Sequence, residues 1–564
     1  MEYKEIYRKW LNSDHFDNEV KKELASIADM EEEIQDRFYT SLKFGTAGLR
    51  GKIGAGTNRM NKYMVAKATQ GFAKAIIDKG EDFKARGVAI AYDVRHFSRE
   101  FAQVTAEVFA GNGIKVYLSD DIRPTPLLSY AIRKFNCAGG VMVTASHNPK
   151  EYNGYKAYGP EGSQILEDFA LEIEKNILEI QNFEDIKTLP IEEAKAQGLV
   201  ELFSKELDES YMKDILSLTI NDDDLDKDIK IVYTPLNGTG NKLVREILDR
   251  RGFNNISIVE EQENPDPDFS TVGYPNPEDP KAFKYAIDLG KKVSAELLVA
   301  TDPDADRVAI EVRDKDGNYE FLNGNKIGAL LIHYILSQRA SKDDLPNNSV
   351  IVKSIVTGDM GKEIADKYDV ETMETLTGFK NICGKANEFD ITGEKEFIFG
   401  FEESIGYNYG TFVRDKDAVS STMMICEMAA YYRNRGKSLL DVLGELRDEF
   451  GYFNEKLISI VLEGIAGQER ISRIMEGFRT EPIEKIKNIN LVKTVDFLKD
   501  ETGTPKSNVL KYYFDDGSWY ALRPSGTEPK VKIYIYSKAD SLKESKNKLD
   551  LIEKATVEKI DKIS

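Results

Sequence analysis

Along residues 1–40 apolar side chains recur at helical spacing, Ile6, Trp10 and Leu11 followed by Val20, Leu24 and Ile27, with charges between them. The spacing predicts two amphipathic helices packed on the outside of a first domain. Residues 60–80 repeat the pattern through Val65, Ala68, Phe72, Ile76 and Ile77 and close at Gly80. Short apolar runs then take over. Residues 88–92 (Val-Ala-Ile-Ala-Tyr) predict a strand, Ser98 the cap of a helix to about residue 110, and residues 114–118 a second strand. The same order returns at 229–233, 241–251 and 256–259, and again at 350–356, 360–368 and 370–375. Strand, helix and strand in close succession make a βαβ unit with parallel strands. Three of them predict three related α/β domains.

The remaining pattern fills in around these units. Residues 165–215 read as helical and charge-rich, and 264–280, with five prolines, as a surface loop. Residues 139–143, 295–300, 308–312 and 397–399 read as strands, and 423–435 as a helix that buries Met423, Met424 and Met428 as core filler. Beyond Gly451, strands at 458–462, 509–514, 520–522 and 531–536 precede a terminal helix over 540–564. Polar breaks place the domains at 1–205, 206–325, 326–450 and 451–564, the last a smaller α+β domain.

Composition narrows the function. The 564 residues carry a net charge of −20, which argues against a nucleic-acid partner, because phosphate backbones attract a basic face. An acidic protein with an anionic substrate must concentrate its cations locally. Cys137, Cys383 and Cys426 are too few and too scattered for a disulfide framework or a zinc site. The charged residues 1–5 show no apolar signal segment, and no apolar run reaches the roughly 20 residues of a membrane span. A cytoplasmic protein without a membrane partner is expected.

The candidate chemistry lies at strand ends, where α/β folds place their ligands. The run Thr-Ala-Ser-His-Asn-Pro at 144–149 follows one strand, and Pro149 keeps Asn148 out of a helix. Ser146 could be a turn residue and nothing more. Residues 43–51, with three glycines and Arg50, form a backbone fit for close approach and a guanidinium fit for phosphate. Asp302, Asp304 and Asp306 alternate on a strand-to-strand loop beside Arg307. Like charges this close favour a bound cation, and hard oxygen ligands select Mg²⁺ or Ca²⁺. An EF-hand is excluded, since Arg307 and Arg313 stand where it needs glycine and glutamate. Glu402, Glu403 and Ser404 offer acceptors and a donor for sugar hydroxyls. Arg523, Ser525, Gly526 and Thr527 make a candidate phosphate nest, with Lys416 as a further cation.

These stretches, 44–51, 144–149, 302–307, 402–406 and 523–530, resemble the α-D-phosphohexomutases in order and spacing from about residue 40 onward. The resemblance implies an α/β fold of four domains around a central cleft, the first three being related units with mixed sheets. It implies a phosphoserine at Ser146 and Mg²⁺ held by Asp302, Asp304, Asp306 and a phosphoserine oxygen. Arg50 and Arg307 would stabilise the transferring group, with His147 and Lys156 as acid/base candidates. Glu402 and Ser404, helped by Thr377, Gly378 and Lys380, would hold the sugar. Arg523, Ser525, Gly526, Thr527 and Lys416 would hold the other phosphate. Glu402-Glu403-Ser404-Ile405-Gly406 is nearer the glucose-type motif than the mannose-type one. That favours glucose 1-phosphate and glucose 6-phosphate, interconverted through glucose 1,6-bisphosphate by a monomer or weak homo-oligomer, with mannose or pentose phosphates as alternatives. A metal-dependent phosphatase or a non-catalytic sugar-phosphate sensor are the rival readings.

Overall fold

The computed structural model describes residues 2–46, 48–462, 464–525 and 530–563. The first sheet has six strands, β1 (Leu49–Lys52), β2 (Val88–Tyr92), β3 (Val116–Ser119), β4 (Gly139–Val143), β5 (Tyr152–Tyr158) and β6 (Val200–Phe203), in the order β1-β5-β4-β2-β3-β6. The second has β7 (Ile231–Thr234), β8 (Ile256–Ile258), β9 (Leu297–Thr301), β10 (Val308–Arg313) and β11 (Tyr319–Leu322), ordered β11-β10-β9-β7-β8. The third has β12 (Ser349–Ser354), β13 (Glu371–Thr375), β14 (Glu396–Glu402) and β15 (Gly406–Asn408), ordered β13-β12-β14-β15.

One topology recurs in all three. A first strand pairs in parallel with the next, across a helix, and with the third (β2 with β3 and β4, β7 with β8 and β9, β12 with β13 and β14). A fourth strand then returns antiparallel (β5, β10, β15). The three βαβ units of the sequence are therefore related α/β units with mixed sheets. β2, β4 and β9 are buried along their whole length, as expected of central strands covered on both faces. The turn from third to fourth strand carries the serine run in the first unit, the aspartates in the second and the Glu402 run in the third. Each turn holds a non-glycine residue in the left-handed region, Ser146 (φ 53°), Ala305 (φ 48°) and Ile405 (φ 55°).

The fourth sheet spans 452–539. Its six strands pair antiparallel throughout, and the helices Gly464–Thr480 and Leu542–Asp561 lie with it. Its core is separate, built on Ile474, Phe478, Leu510, Tyr520, Ile533 and Ile552. Met423, Met424 and Met428 are buried in the helix Ala418–Arg433.

Four local expectations change. The N-terminal segment forms three helices, Glu2–Asn12, Asn18–Ser26 and Glu31–Phe38, because the chain turns twice to wrap a satellite core of Trp10, Phe16 and Phe38. Residues 165–215 are not all helical, since β6 interrupts them by pairing with β3. Ser98 is the first residue of its helix and not its cap; its hydroxyl donates to Asp93 Oδ1 at 2.7 Å. The proline-rich segment is not a peripheral surface loop, since it reaches the serine turn, as described below.

Candidate active site

Ser146 and Asp302 meet although 156 positions separate them, Ser146 Oγ donating to Asp302 Oδ2 at 2.9 Å. On its other side Ser146 Oγ lies 3.1 Å from His147 Nδ1. The serine turn is closed by a hydrogen bond from Ser146 N to Thr144 Oγ1 at 2.8 Å. The entry to β1 fits only with glycine at position 48, whose φ is +73°, because a Cβ there would stand 1.8 Å from Tyr155 O of β5. That contact lays β1, with Arg50, along β5 opposite Gly154.

Asp302, Asp304 and Asp306 are all buried, and each can bring a carboxylate oxygen within 4.8 Å of the others. Asp304 Oδ1 and Asp306 Oδ1 are buried without a hydrogen-bond partner. Buried carboxylate oxygens lacking a donor suit a hard cation, so the donor set fits a divalent metal. Three cations face the three carboxylates. Lys156 Nζ lies 2.7 Å from Asp304 Oδ2 and 3.4 Å from Asp306 Oδ2. Lys416 Nζ lies 3.2 Å from Asp306 Oδ2, and Arg307 Nε 3.7 Å from Asp306 Oδ1.

The electrostatics follow from burial and pairing. Burial, with the charges of Asp304 and Asp306, pushes the Asp302 carboxyl well above the usual range. Burial disfavours the Asp304 anion too, but Lys156 and Thr125 outweigh it and hold that carboxyl far down. Asp306 is lowered against its burial and the Asp304 charge, chiefly by Lys416 and Lys156. Lys156 is desolvated, yet Asp304 and Asp306 raise it above an ordinary lysine. Burial and the charges of Arg307 and Arg50 hold His147 well below an ordinary histidine, so it stays neutral.

Lys416, expected as a further cation for the distal phosphate, makes its ion pairs beside the aspartate triplet. It lies with the aspartate triplet, 2.9 Å from Asp415 Oδ1, because two buried carboxylates demand a cation there. Gly406 makes room for it: a Cβ at that position would meet Lys416 Cδ at 2.2 Å.

The residues around Glu402 form a second group. Glu402 is buried, and its Oε1 accepts from Gly378 N at 2.8 Å. Burial and neighbouring Glu403 raise its carboxyl, while Lys416 and Arg307 draw it down. Thr377 and Lys380 flank Gly378 at the start of the helix Phe379–Thr392, and burial lowers the Lys380 ammonium to about 8. Ser404 is half-buried on the same turn as Glu402. Arg523 lies at the end of a fourth-sheet strand, Trp519–Pro524, and Ser525 follows it, its N donating to Lys530 O at 2.8 Å. Gly526 and Thr527 lie outside the described residues.

Several contacts escaped the sequence reading. Thr125 Oγ1 donates to Asp304 Oδ2 at 2.7 Å, and Tyr158 Oη to Asp415 Oδ2 at 2.7 Å. Arg307 Nη1 reaches Glu278 Oε2 at 3.3 Å, and the Tyr274 ring stands edge-on to His147 at 5.9 Å, so the proline-rich segment borders the site. Lys532 pairs across the sheet with Arg523, and cross-strand spacing puts the two cations on one face. Arg95 holds the serine turn itself. The only sequence hint to it was an Asp-x-Arg run just past the end of β2, a position where α/β folds gather functional groups.

The surroundings of this site match known proteins over nearly the whole chain. Residues 41–184, 209–317 and 323–450 match phosphoglucomutase/phosphomannomutase alpha/beta/alpha domains I, II and III, and 472–547 matches the C-terminal domain. The phosphoglucomutase of Staphylococcus epidermidis (strain RP62A) is 42% identical over 522 residues, covering 90% of this chain and 93% of the relative. That of Staphylococcus aureus (strain USA300) is 38% identical over 547 residues, covering 95% and 96%. Among solved structures, the phosphoglucomutase parafusin of Paramecium, in an open form, superposes with a TM-score of 0.69 at 20% identity, covering 93% of this chain and 96% of that one, which supports the fold. With all four domains matched in order, the chain belongs to the phosphoglucomutase/phosphomannomutase family.

Proposed function

We propose that the chain is a phosphohexomutase that interconverts α-D-glucose 1-phosphate and glucose 6-phosphate. The observation that carries this reading is Ser146 Oγ within hydrogen-bond reach of both a neutral imidazole and the aspartate triplet. In this reading Ser146 rests as a phosphoserine. Its phosphoryl group passes to the free O6 of glucose 1-phosphate: the P–Oγ bond breaks, a P–O6 bond forms, and the O6 proton ends on Ser146 Oγ as the leaving oxygen. The resulting glucose 1,6-bisphosphate turns over. Ser146 Oγ then attacks the phosphoryl group on O1: a P–Oγ bond forms, the P–O1 bond breaks, His147 Nδ1 takes the Oγ proton, and that proton passes to O1 as glucose 6-phosphate leaves with the serine recharged.

Phosphoryl transfer depends mostly on positioning and charge. Arg50 and Arg307 would face the transferring group. Lys156 and Lys416 stay cationic among the carboxylates and suit charge stabilisation better than proton abstraction. Mg²⁺, held by Asp302, Asp304, Asp306 and an oxygen of phosphorylated Ser146, would withdraw charge from the phosphoryl oxygens. Glu402 and Ser404, with Thr377, Gly378 and Lys380, hold the sugar; Arg523 and Ser525, with Gly526 and Thr527, hold the other phosphate. The domains run 1–205, 206–325, 326–450 and 451–564, each contributing one of these parts.

The test is a coupled assay of glucose 1-phosphate with Mg²⁺ and a trace of glucose 1,6-bisphosphate, run beside mannose 1-phosphate and ribose 1-phosphate. Glucose turnover that falls to background in Ser146→Ala, and that EDTA abolishes and Mg²⁺ restores, is expected. Turnover of another sugar alone would keep the mechanism and overturn the glucose preference. Release of inorganic phosphate without isomer product would point to a phosphatase.

A further inference from the structure

Resting on the mutase reading, we propose that Arg95 is a positioning residue for the phosphoryl-carrying serine: it fixes the backbone of the turn that presents Ser146. Arg95 is buried, and its guanidinium spends its donors on main-chain carbonyls of one short stretch. Nη2 donates to Ser146 O at 2.5 Å and to Asn148 O; Nη1 donates to Pro149 O at 2.9 Å and to Tyr152 O at 3.1 Å. Four carbonyls of the turn between β4 and β5 thus converge on one planar group. A turn ordinarily leaves such carbonyls to water. Here they converge on one multidentate donor, and among the described residues only Pro149 O is shared with a backbone amide, that of Tyr152 at 3.0 Å.

The anchor is held from behind. Asp93, at the end of β2, lies 3.3 Å from Arg95 Nε through Oδ2, while its Oδ1 accepts from Arg95 N at 3.0 Å and Ser98 Oγ at 2.7 Å. The Phe269 ring of the proline-rich segment covers the guanidinium at 5.0 Å. Lys150 and His96, flanking the turn and the anchor, both reach Asp268 Oδ1, at 3.1 and 3.2 Å. The second unit therefore closes the back of the same assembly.

The anchor matters because Ser146 occupies a backbone region that a serine avoids, with φ at +53°. Such a conformation persists only where the surroundings over-determine it. The Ser146 carbonyl, fixed by Arg95, and the Ser146 amide, fixed by Thr144 Oγ1, pin both sides of that residue. Oγ is left aimed at Asp302 and His147. Loss of the anchor would let the turn relax to ordinary φ and swing Oγ away from both. Contacts to the sugar and to its distal phosphate would remain, because they belong to the third and fourth units.

The experiment compares wild type with Arg95→Lys, which keeps the charge and loses the fork. Turnover is measured with glucose 1-phosphate, serine charging by intact mass after adding glucose 1,6-bisphosphate, and folding by thermal melting. The expected result is a kcat at least thirtyfold lower, KM within threefold of wild type, serine charging slowed by a similar factor, and a melting temperature within a few degrees. Unchanged kcat, or a raised KM at unchanged kcat, would overturn the proposal. If the variant does not fold, amide hydrogen exchange on the wild-type protein decides: slow exchange across 146–152 supports the anchor, and exchange at the rate of an unstructured loop overturns it. A wild-type protein that neither turns over nor charges its serine would remove the mutase reading instead, and the exchange measurement would still report on the turn.

Discussion

At the scale of single residues the site is a matter of charges placed where burial would otherwise forbid them. Lys380 is the plainest case. Burial lowers its ammonium to about 8, so it is cationic below that pH and neutral above it. A lysine that contacts a sugar phosphate as a cation must then lose affinity as pH rises through about 8. We expect kcat/KM to fall above that pH and Lys380→Arg, which stays charged, to extend the plateau to higher pH. The pH profile of the two proteins checks this, and coincident profiles would place the titration elsewhere. Gly406 is a second case. Its missing side chain accommodates Lys416, and Gly406→Ala would push the ammonium away from Asp306. Misplacement by an ångström costs about a hundredfold in rate, so a tenfold to hundredfold loss of kcat with an unchanged melting temperature is expected. The residues that showed themselves in the sequence, Ser146 and the three aspartates, did so because their chemistry is crowded into a few adjacent positions. Arg95 and Asp415 were not legible, because what they bond lies dozens or hundreds of positions away and no local pattern records it.

At the scale of elements, a strand reads from sequence when it is apolar and buried on both faces. β2, β4, β7 and β9 are of this kind, and their apolar runs stand out as predicted. β6, β11 and β15 do not stand out. They have three or four residues, include charged or polar positions, and owe their existence to a neighbour that pairs with them. The third N-terminal helix was hidden for a related reason, since Glu31, Glu32 and Glu33 open it and dilute its apolar face to Ile34 and Phe38. β10 carries the opposite anomaly, a carboxylate where the pattern calls for an apolar residue. Glu311 is buried between Leu298 and Phe321, its Oε2 has no partner, and burial raises it to about 7. The folded value lies above the unfolded one, so the folded state holds the extra proton. Stability is therefore greatest below about pH 4.5, declines as pH rises through about 7, and carries the full penalty above that. Glu311→Gln removes the charge and should stabilise the protein by about 2 kcal/mol at pH 8 and by almost nothing at pH 4.5. Melting temperatures of both proteins at the two pH values test it; an equal difference at both would mean that Glu311 does not titrate in the fold.

At the scale of the molecule, the three repeated units must hold their three turns toward one point, and buried side chains between units do this. Thr125 of the first unit bonds Asp304 of the second, and Tyr158 of the first bonds Asp415 of the third. Farther out, Glu427 gathers the second and third units. It is fully buried, and it accepts from Arg251 Nη2 at 2.9 Å, Tyr334 Oη at 2.8 Å, Asn221 N at 2.9 Å and Ile220 N at 3.1 Å. The helix that carries it, Ala418–Arg433, starts at the aspartate loop, where Ala418 N donates to Ala305 O at 3.2 Å. Nine residues of helix put Glu427 about 14 Å along the axis from that end. Replacing it by glutamine removes one of the two carboxylates that face the buried Arg251 guanidinium, Asp222 Oδ1 remaining at 2.7 Å from Nη1, and weakens four charge-assisted hydrogen bonds at one buried point, a loss of about 1–3 kcal/mol. The aspartate loop sits at the far end of the helix, on contacts that the substitution does not touch. Glu427→Gln should therefore lower the midpoint of urea unfolding clearly while kcat and KM at 25 °C stay within about twofold of wild type. A loss of turnover at unchanged stability would mean that the network sets the angle between the aspartate and sugar turns, and that the units are held for geometry before they are held for strength.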